Sequence, residues 1–142
     1  MRFQGKSRLA ILSMMELATA KDRKLVTIAD IAEHLKVSLS YLEQLFAELR
    51  RAGLVKGVRG PGGGYSVACG LDQISIYQIM EAVDDTSHRI SVESDYPPGF
   101  MWNDLVDGFN THLKALSLAD LVNRQQSQTL FLGQNGREAL AG

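Results

Sequence analysis

Apolar side chains recur at helical spacing through most of this chain, and the breaks between the runs are short. KSRLAILSMMELATA (6–20) is apolar over a broad face, which predicts a buried helix. The basic run KDRK interrupts it at the surface. TIADIAEHL follows, with Ile28, Ile31, Ala32 and Leu35 on one face, Thr27 placed to cap it and Asp30 three residues on. After a three-residue break, KVS, the stretch SLSYLEQLFAELRRAG carries Leu39, Leu42, Leu45, Phe46 and Leu49 at i, i+3, i+4 steps. Ser38 is the better N-cap, with Ser40 as competitor, and Gly53 suits a C-terminal stop.

Two short helices joined this briefly, the second strongly amphipathic, predict a helix-turn-helix. By subtraction from the apolar stripe, Ser40, Glu43, Gln44 and Ala47 face outward, with Tyr41 near the edge. A recognition helix contacts base edges from such a face. The β-prone runs LVKGV and YSVA then flank a glycine-rich connection, which predicts a hairpin. A hairpin directly after a helix-turn-helix is the wing of a winged helix.

The connection itself, VRGPGGGY, admits a second chemistry, because glycine amides also cradle phosphates. A P-loop, however, needs a lysine and then Ser or Thr after its last glycine, and Tyr65 stands there. A dinucleotide fingerprint needs a following helix, and a β-prone tail follows instead. The wing reading puts Arg59 at the leading edge of a flexible tip, where a narrow minor groove attracts arginine.

Further on, ISIYQIMEAVD predicts a helix with Ile76, Ile79, Met80 and Val83 inward and Ser75 or a neighbour as its cap. FMWNDLVDGFNTHLKAL aligns Trp102, Leu105, Val106, Phe109, Leu113 and Leu116 along one side, a seam suited to pairing with a second copy. Packing on the chain's own core is the competing use of that seam. SLADLVN predicts a short capped helix, and QSQTLFLGQNGREALAG has few apolar anchors and is expected to fray.

Composition narrows the function. At 142 residues, 45% hydrophobic and 22% charged, the chain suits one globular unit with an appended helix. No apolar run is long enough for a membrane span, and MRFQGKSRLA lacks the apolar core of a signal peptide, so a cytoplasmic location is expected. The net charge of −1 conceals a partition. Residues 1–65 hold 11 Lys+Arg against 6 Asp+Glu, and residues 66–142 hold 4 against 10. The basic half coincides with the helix-turn-helix and hairpin, which implies a polyanionic partner. Arg50, Arg51 and Lys56 are candidates for phosphate contact. Glu43 cannot help there, but it can accept from a cytosine amino group and penalise other bases.

The run from Ser38 to Tyr65, SLSYLEQLFAELRRAGLV and then VRGPGGGY, resembles the Rrf-type winged-helix transcriptional regulators of the IscR/NsrR/CymR group, its IscR branch most of all. The likeness reaches upstream to KSRLA and downstream to ISIYQIMEAVD and LADLVN. It implies a mainly α fold with a small β-hairpin, and a homodimer that binds double-stranded DNA, in most members as a repressor. It also implies that Ser38, Ser40, Tyr41, Glu43 and Gln44 meet the major groove. Arg59 and the Gly60 backbone would enter the minor groove. The implied organisation is a DNA-binding domain over 1–83, a loop over 84–100, and a dimerisation helix with its tail over 101–142.

In one respect the chain departs from its group. IscR and NsrR hold an iron–sulfur cluster through three cysteines in the loop that here reads DDTSHRISVESDYPPGF, without a cysteine. Gly99 stands where IscR supplies a histidine, and Arg8 and Leu12 occupy the first-helix positions of a variant ligand set. Thiolates hold such clusters, and Cys69 is the chain's one cysteine. No cofactor and no iron–sulfur cluster are therefore expected. Asp84, Asp85, His88, Glu93 and Asp95 are hard donors in the same loop but lack metal-ligand spacing, so no metal is assigned. Cys69 reads as a buried or idle thiol, and His34 and His112 as surface or packing residues. No nucleophile–base–orienter constellation points to an enzyme. A regulatory signal would then be an effector molecule or partner protein acting at 84–100. The rival reading is a winged-helix protein–protein adaptor that has lost DNA reading.

Overall fold

The computed structural model describes residues 5–21, 25–84 and 99–128; for Gly99, Phe100 and Trp102 the backbone alone is described. The elements run α1 (Lys6–Ala18), α2 (Ile28–Leu35), α3 (Leu39–Arg51), β1 (Val55–Val58), β2 (Gly64–Val67), a 3-10 turn (Leu71–Gln73), α4 (Ile76–Val83) and α5 (Gly99–Ala115). A last helix, α6, is described over 118–128. The fold is mainly helical with one antiparallel hairpin, as the residue pattern implies.

Local signals set the helix-turn-helix. Thr27 Oγ1 accepts from the Asp30 N–H at 3.1 Å and starts α2. Lys36 ends it in the left-handed conformation, φ 56°, with its own N–H and that of Val37 donating to the Ala32 carbonyl. Ser38 Oγ then accepts from the Tyr41 N–H at 3.2 Å, which settles the N-cap of α3 on Ser38. At the far end, the Gly53 N–H reaches the Arg50 carbonyl and the Leu54 N–H reaches the Leu49 carbonyl, the paired bonds of a Schellman stop.

The core sits where α1, α3 and α4 meet. α3 contributes Leu42, Leu45, Phe46 and Leu49, all fully buried, and α4 contributes Ile76, Ile79, Met80 and Val83. Truncating one of the α3 leucines to alanine costs about 2–5 kcal/mol where neighbours cannot collapse into the gap. α1 adds Leu9, Ala10, Met14 and Leu17, and the Lys6 ammonium meets Glu48 of α3 at 2.8 Å.

β1 and β2 pair in the register Val55↔Val67, Lys56↔Ser66, Gly57↔Tyr65 and Val58↔Gly64. The hairpin has a second neighbour that the sequence pattern does not announce. Val26, just ahead of α2, bridges Tyr65 by two backbone bonds of 2.9 and 2.7 Å. The free edge of β2 is therefore partly covered by the segment leading into the helix-turn-helix.

Three expectations change. Leu39 does not share the buried stripe: as the first residue of α3 it lies one turn ahead of the covered surface and is 46% exposed. Cys69, two residues past the end of β2, is exposed, which removes the buried reading of that thiol and leaves the idle one. The apolar side of α5 is not one free seam. Leu113 is buried in the chain's own core at 3% exposure, and Phe109 and, just past the helix, Leu116 pack against that core, because α4 packs against α5. Leu105 is 65% exposed and Val106 half-buried; the Trp102 side chain lies outside the described residues, as do 85–98 and 129–142. α6 also runs further than SLADLVN, through QQSQ to 128.

Candidate nucleic-acid interface

The inward stripe of α3 is consumed by the core, and its opposite face is open in this chain. Ser38, Ser40, Glu43 and Gln44 are exposed there, and Tyr41 is 40% exposed. Each keeps chemistry for a ligand. Ser38 Oγ accepts from the Tyr41 amide, which leaves its O–H free to donate. Among the described residues Glu43 joins no ion pair: the acids that do so are Glu48 with Lys6, and Glu16 with His34 Nδ1 at 2.8 Å. A carboxylate beside Ser40 and Gln44 repels phosphates and is able to accept from a donor.

The end of α3 and the hairpin supply positive charge. Arg50, Arg51, Lys56 and Arg59 are all exposed. Arg51 folds back, its Nε donating to the Ala47 carbonyl at 3.3 Å, whereas among the described residues no such bond holds Arg50. Arg59 stands at the start of the hairpin tip. The tip is a four-residue turn in which the Gly63 N–H donates to the Gly60 carbonyl at 2.9 Å. Pro61 at its second position and Gly62 at φ 75° in its third make it type II. Gly63 has a different reason to lack a side chain, because a Cβ there would lie 2.2 Å from the Val58 carbonyl oxygen. The glycines thus build a tight tip, and Arg59 and Gly60 are exposed on it.

Sequence reading missed the joint between these two surfaces. Tyr65 of β2 sets its ring against Phe46 of α3, centroids 5.0 Å apart and planes at 60°. The pattern alone marks Tyr65 as a strand residue; the glycine opposite it, Gly57, was the available hint that a ring would lie across.

The remaining candidates lie apart from this surface. His112 is exposed on α5, where Lys114 lies 4.6 Å above the Tyr77 ring. Among the described residues no three His, Cys, Asp or Glu side chains gather as a cation site, and no helix is long and apolar enough to cross a membrane. Of the loop donors, Asp84 is exposed, and Asp85, His88, Glu93 and Asp95 lie outside the described residues. The chain's single cysteine, Cys69, is exposed just past β2.

Comparison with known proteins agrees with this geometry. The Rrf2 family, described as an iron-dependent transcriptional regulator, matches residues 3–124. The HTH-type transcriptional regulator IscR of Erwinia tasmaniensis is 36% identical, over 97% of this chain and 88% of that protein. Among solved structures, T. potens IscR superposes with a TM-score of 0.75 at 30% identity, covering 88% of each chain. CymR, the global cysteine regulator of B. subtilis, has a TM-score of 0.75 at 30% identity, covering 87% of this chain and 98% of that one. With a winged helix, an exposed outer face on α3 and these relatives across nearly its whole length, the chain belongs to the Rrf2 family of transcriptional regulators.

Proposed function

We propose that this chain works in the cytoplasm as a homodimeric, sequence-specific DNA-binding repressor that reads an imperfect palindrome. The observation that carries the reading is the exposed Glu43, in no ion pair among the described residues, beside Ser38, Ser40, Tyr41 and Gln44 on a helix joined to an arginine-tipped wing. The helix face would enter the major groove, and Arg59 with the Gly60 backbone would enter the minor groove. Arg50, Lys56 and their neighbours would neutralise phosphates and make binding salt-sensitive.

One winged helix touches few base pairs. Two held on a two-fold axis read half-sites about 34 Å apart. The exposed Met101 and Leu105 of α5, with Val106 half-buried beside them, support pairing through the N-terminal half of that helix. Repression is the sign that the family resemblance carries.

Regulation in this reading does not use an iron–sulfur cluster, although the family description is iron-dependent. One cysteine per chain cannot replace the several thiolates such a cluster needs. Control would instead come from an effector molecule or partner protein at 84–100, favouring one spacing of the two wings over another.

The test is selection of bound fragments from a genomic DNA library, then anisotropy titration at two salt concentrations. A recurring two-fold sequence, bound tightly and more weakly at high salt, is expected. Weak binding without preference, with one dominant protein captured instead, would replace this reading with the adaptor. Protein purified without air should be colourless, and a brown preparation would overturn the cluster-free part.

A further inference from the structure

We propose that Tyr65 is the positioning residue that sets the angle of the wing against the recognition helix, so that Arg59 and α3 reach their two grooves together. The inference rests on the DNA-binding reading above. Val55, Gly57, Tyr65 and Val67 share one side of the hairpin by strand alternation and register. Val55 is buried and Val67 packs against the core, so that pair fixes the hairpin's base. The next pair outward on that side is Gly57 opposite Tyr65, and beyond it lies the exposed tip.

At this pair a single side chain does the work of two. A Cβ on Gly57 would meet the Tyr65 ring at 3.2 Å, so the ring lies across the position that the glycine leaves bare. The same ring meets Phe46, fully buried in the middle of α3, edge to face at 5.0 Å. On the other edge of β2 the Tyr65 N–H and carbonyl both bond Val26. Tyr65 is therefore held by both α3 and the segment ahead of α2, one residue from the tip end of β2. Arg59 lies two residues beyond Gly57, roughly 7 Å along the strand. A hinge loosened at Tyr65 would swing the arginine while Val55 and Val67 still hold the hairpin's base.

The test is a double-mutant cycle read by anisotropy on a fragment selected by the full chain. It uses wild type, Arg59→Ala, Tyr65→Leu and the double variant, with Tyr65→Phe as the conservative control. Arg59→Ala should weaken binding roughly tenfold, the scale of one lost groove contact. Tyr65→Leu should lose a similar factor, the double variant little more than either, and Tyr65→Phe should bind as wild type does. Footprinting separates positioning from general damage: Tyr65→Leu should lose minor-groove protection at the wing while keeping major-groove protection at α3. Additive losses, or equal loss of both protections, would overturn the proposal. Should Tyr65→Leu fail to fold, Gly57→Ala, whose Cβ would press on the same ring at 3.2 Å from an exposed strand position, enters the same cycle. If wild type selects no sequence at all, the DNA-binding reading falls first, and that outcome is distinct from additivity.

Discussion

Ser75 and Ser117 face each other across an antiparallel bridge, so α4 and α6 begin side by side. The Ile76 N–H donates to the Leu116 carbonyl and the Leu118 N–H to the Ile74 carbonyl, each at 2.8 Å. Each serine also caps its own helix. Ser75 Oγ accepts from the Gln78 N–H at 3.1 Å while Gln78 Oε1 accepts from the Ser75 N–H at 2.9 Å. Ser117 and Asp120 exchange the same two bonds at 3.1 and 2.9 Å. This double box returns the chain to the core after the excursion of α5. Ser117→Ala should lower unfolding free energy by about 1 kcal/mol, the usual worth of such a cap. Urea titration should show an earlier midpoint with an unchanged slope.

The partner in that box gives the fold an acid-sensitive point. Hydrogen bonds from the Ser117 backbone and hydroxyl, with Arg124 one turn on, hold the Asp120 carboxyl below its ordinary 3.8. A carboxylate with a depressed folded value adds stability above its unfolded value, and that stability fades as pH falls through the folded one. Wild type should therefore lose stability below about pH 4 more steeply than Asp120→Asn does. Thermal unfolding of both proteins across that window checks it, and parallel curves would refute the assignment.

What was legible in the residues, and what was not, divides by range. Thr27, Ser38 and Gly53 punctuate helices through bonds to amides or carbonyls a few residues away, so their types and spacing announced the helix-turn-helix. Periodicity also found the buried sides of α3 and α4. It says which residues share a face, not what covers that face, so Leu113 and Leu105 looked alike although one is core and the other is open. Leu39 fits the stripe arithmetically, yet a helix's first turn can project past the surface its later turns bury. The Val26 bridge had no local signal, because one residue pairing with a strand shows no alternation. On the recognition face, Glu43 stood out as an acid in the basic half of the chain. Tyr65 did not, since its importance lies in a ring contact with Phe46 that only the folded chain makes.

That bridge makes a second stability prediction. At Gly64 an added Cβ would lie 2.8 Å from the Val26 carbonyl oxygen and 2.9 Å from its carbon, both backbone atoms that cannot turn away. Gly64→Ala should therefore push Val26 off β2 and cost about 1–3 kcal/mol, as overpacking does. Hydrogen exchange should show the Val26 and Tyr65 amides losing protection while those of the α3 core keep theirs.

If α5 pairs with its twin, Leu105 is the residue to charge. It is 65% exposed in one chain, and Asp104 and Asp107 flank it. Leu105→Glu should leave the folded monomer within about 0.5 kcal/mol of wild type, as surface changes do. Across a two-fold axis it would bring like charges together, so sedimentation should report a monomer where wild type is a dimer. An unchanged mass would move the interface elsewhere.

Specificity and affinity should separate on the recognition surface. Glu43 can accept from a base amino group but repels phosphates, so Glu43→Ala removes a penalty on wrong bases together with a repulsion. Its overall affinity should hold or rise while discrimination at one base position falls by about 1–3 kcal/mol. Arg50→Ala should do the reverse, weakening all sequences alike and reducing the slope of log affinity against log salt by about 0.9 for the one phosphate released. Titrating both variants against the selected sequence and single-base changes of it, at several salt concentrations, reads the two effects independently. A Glu43→Ala protein with undiminished base preference would place that carboxylate outside the groove, and with it the claim that α3 reads sequence through this face.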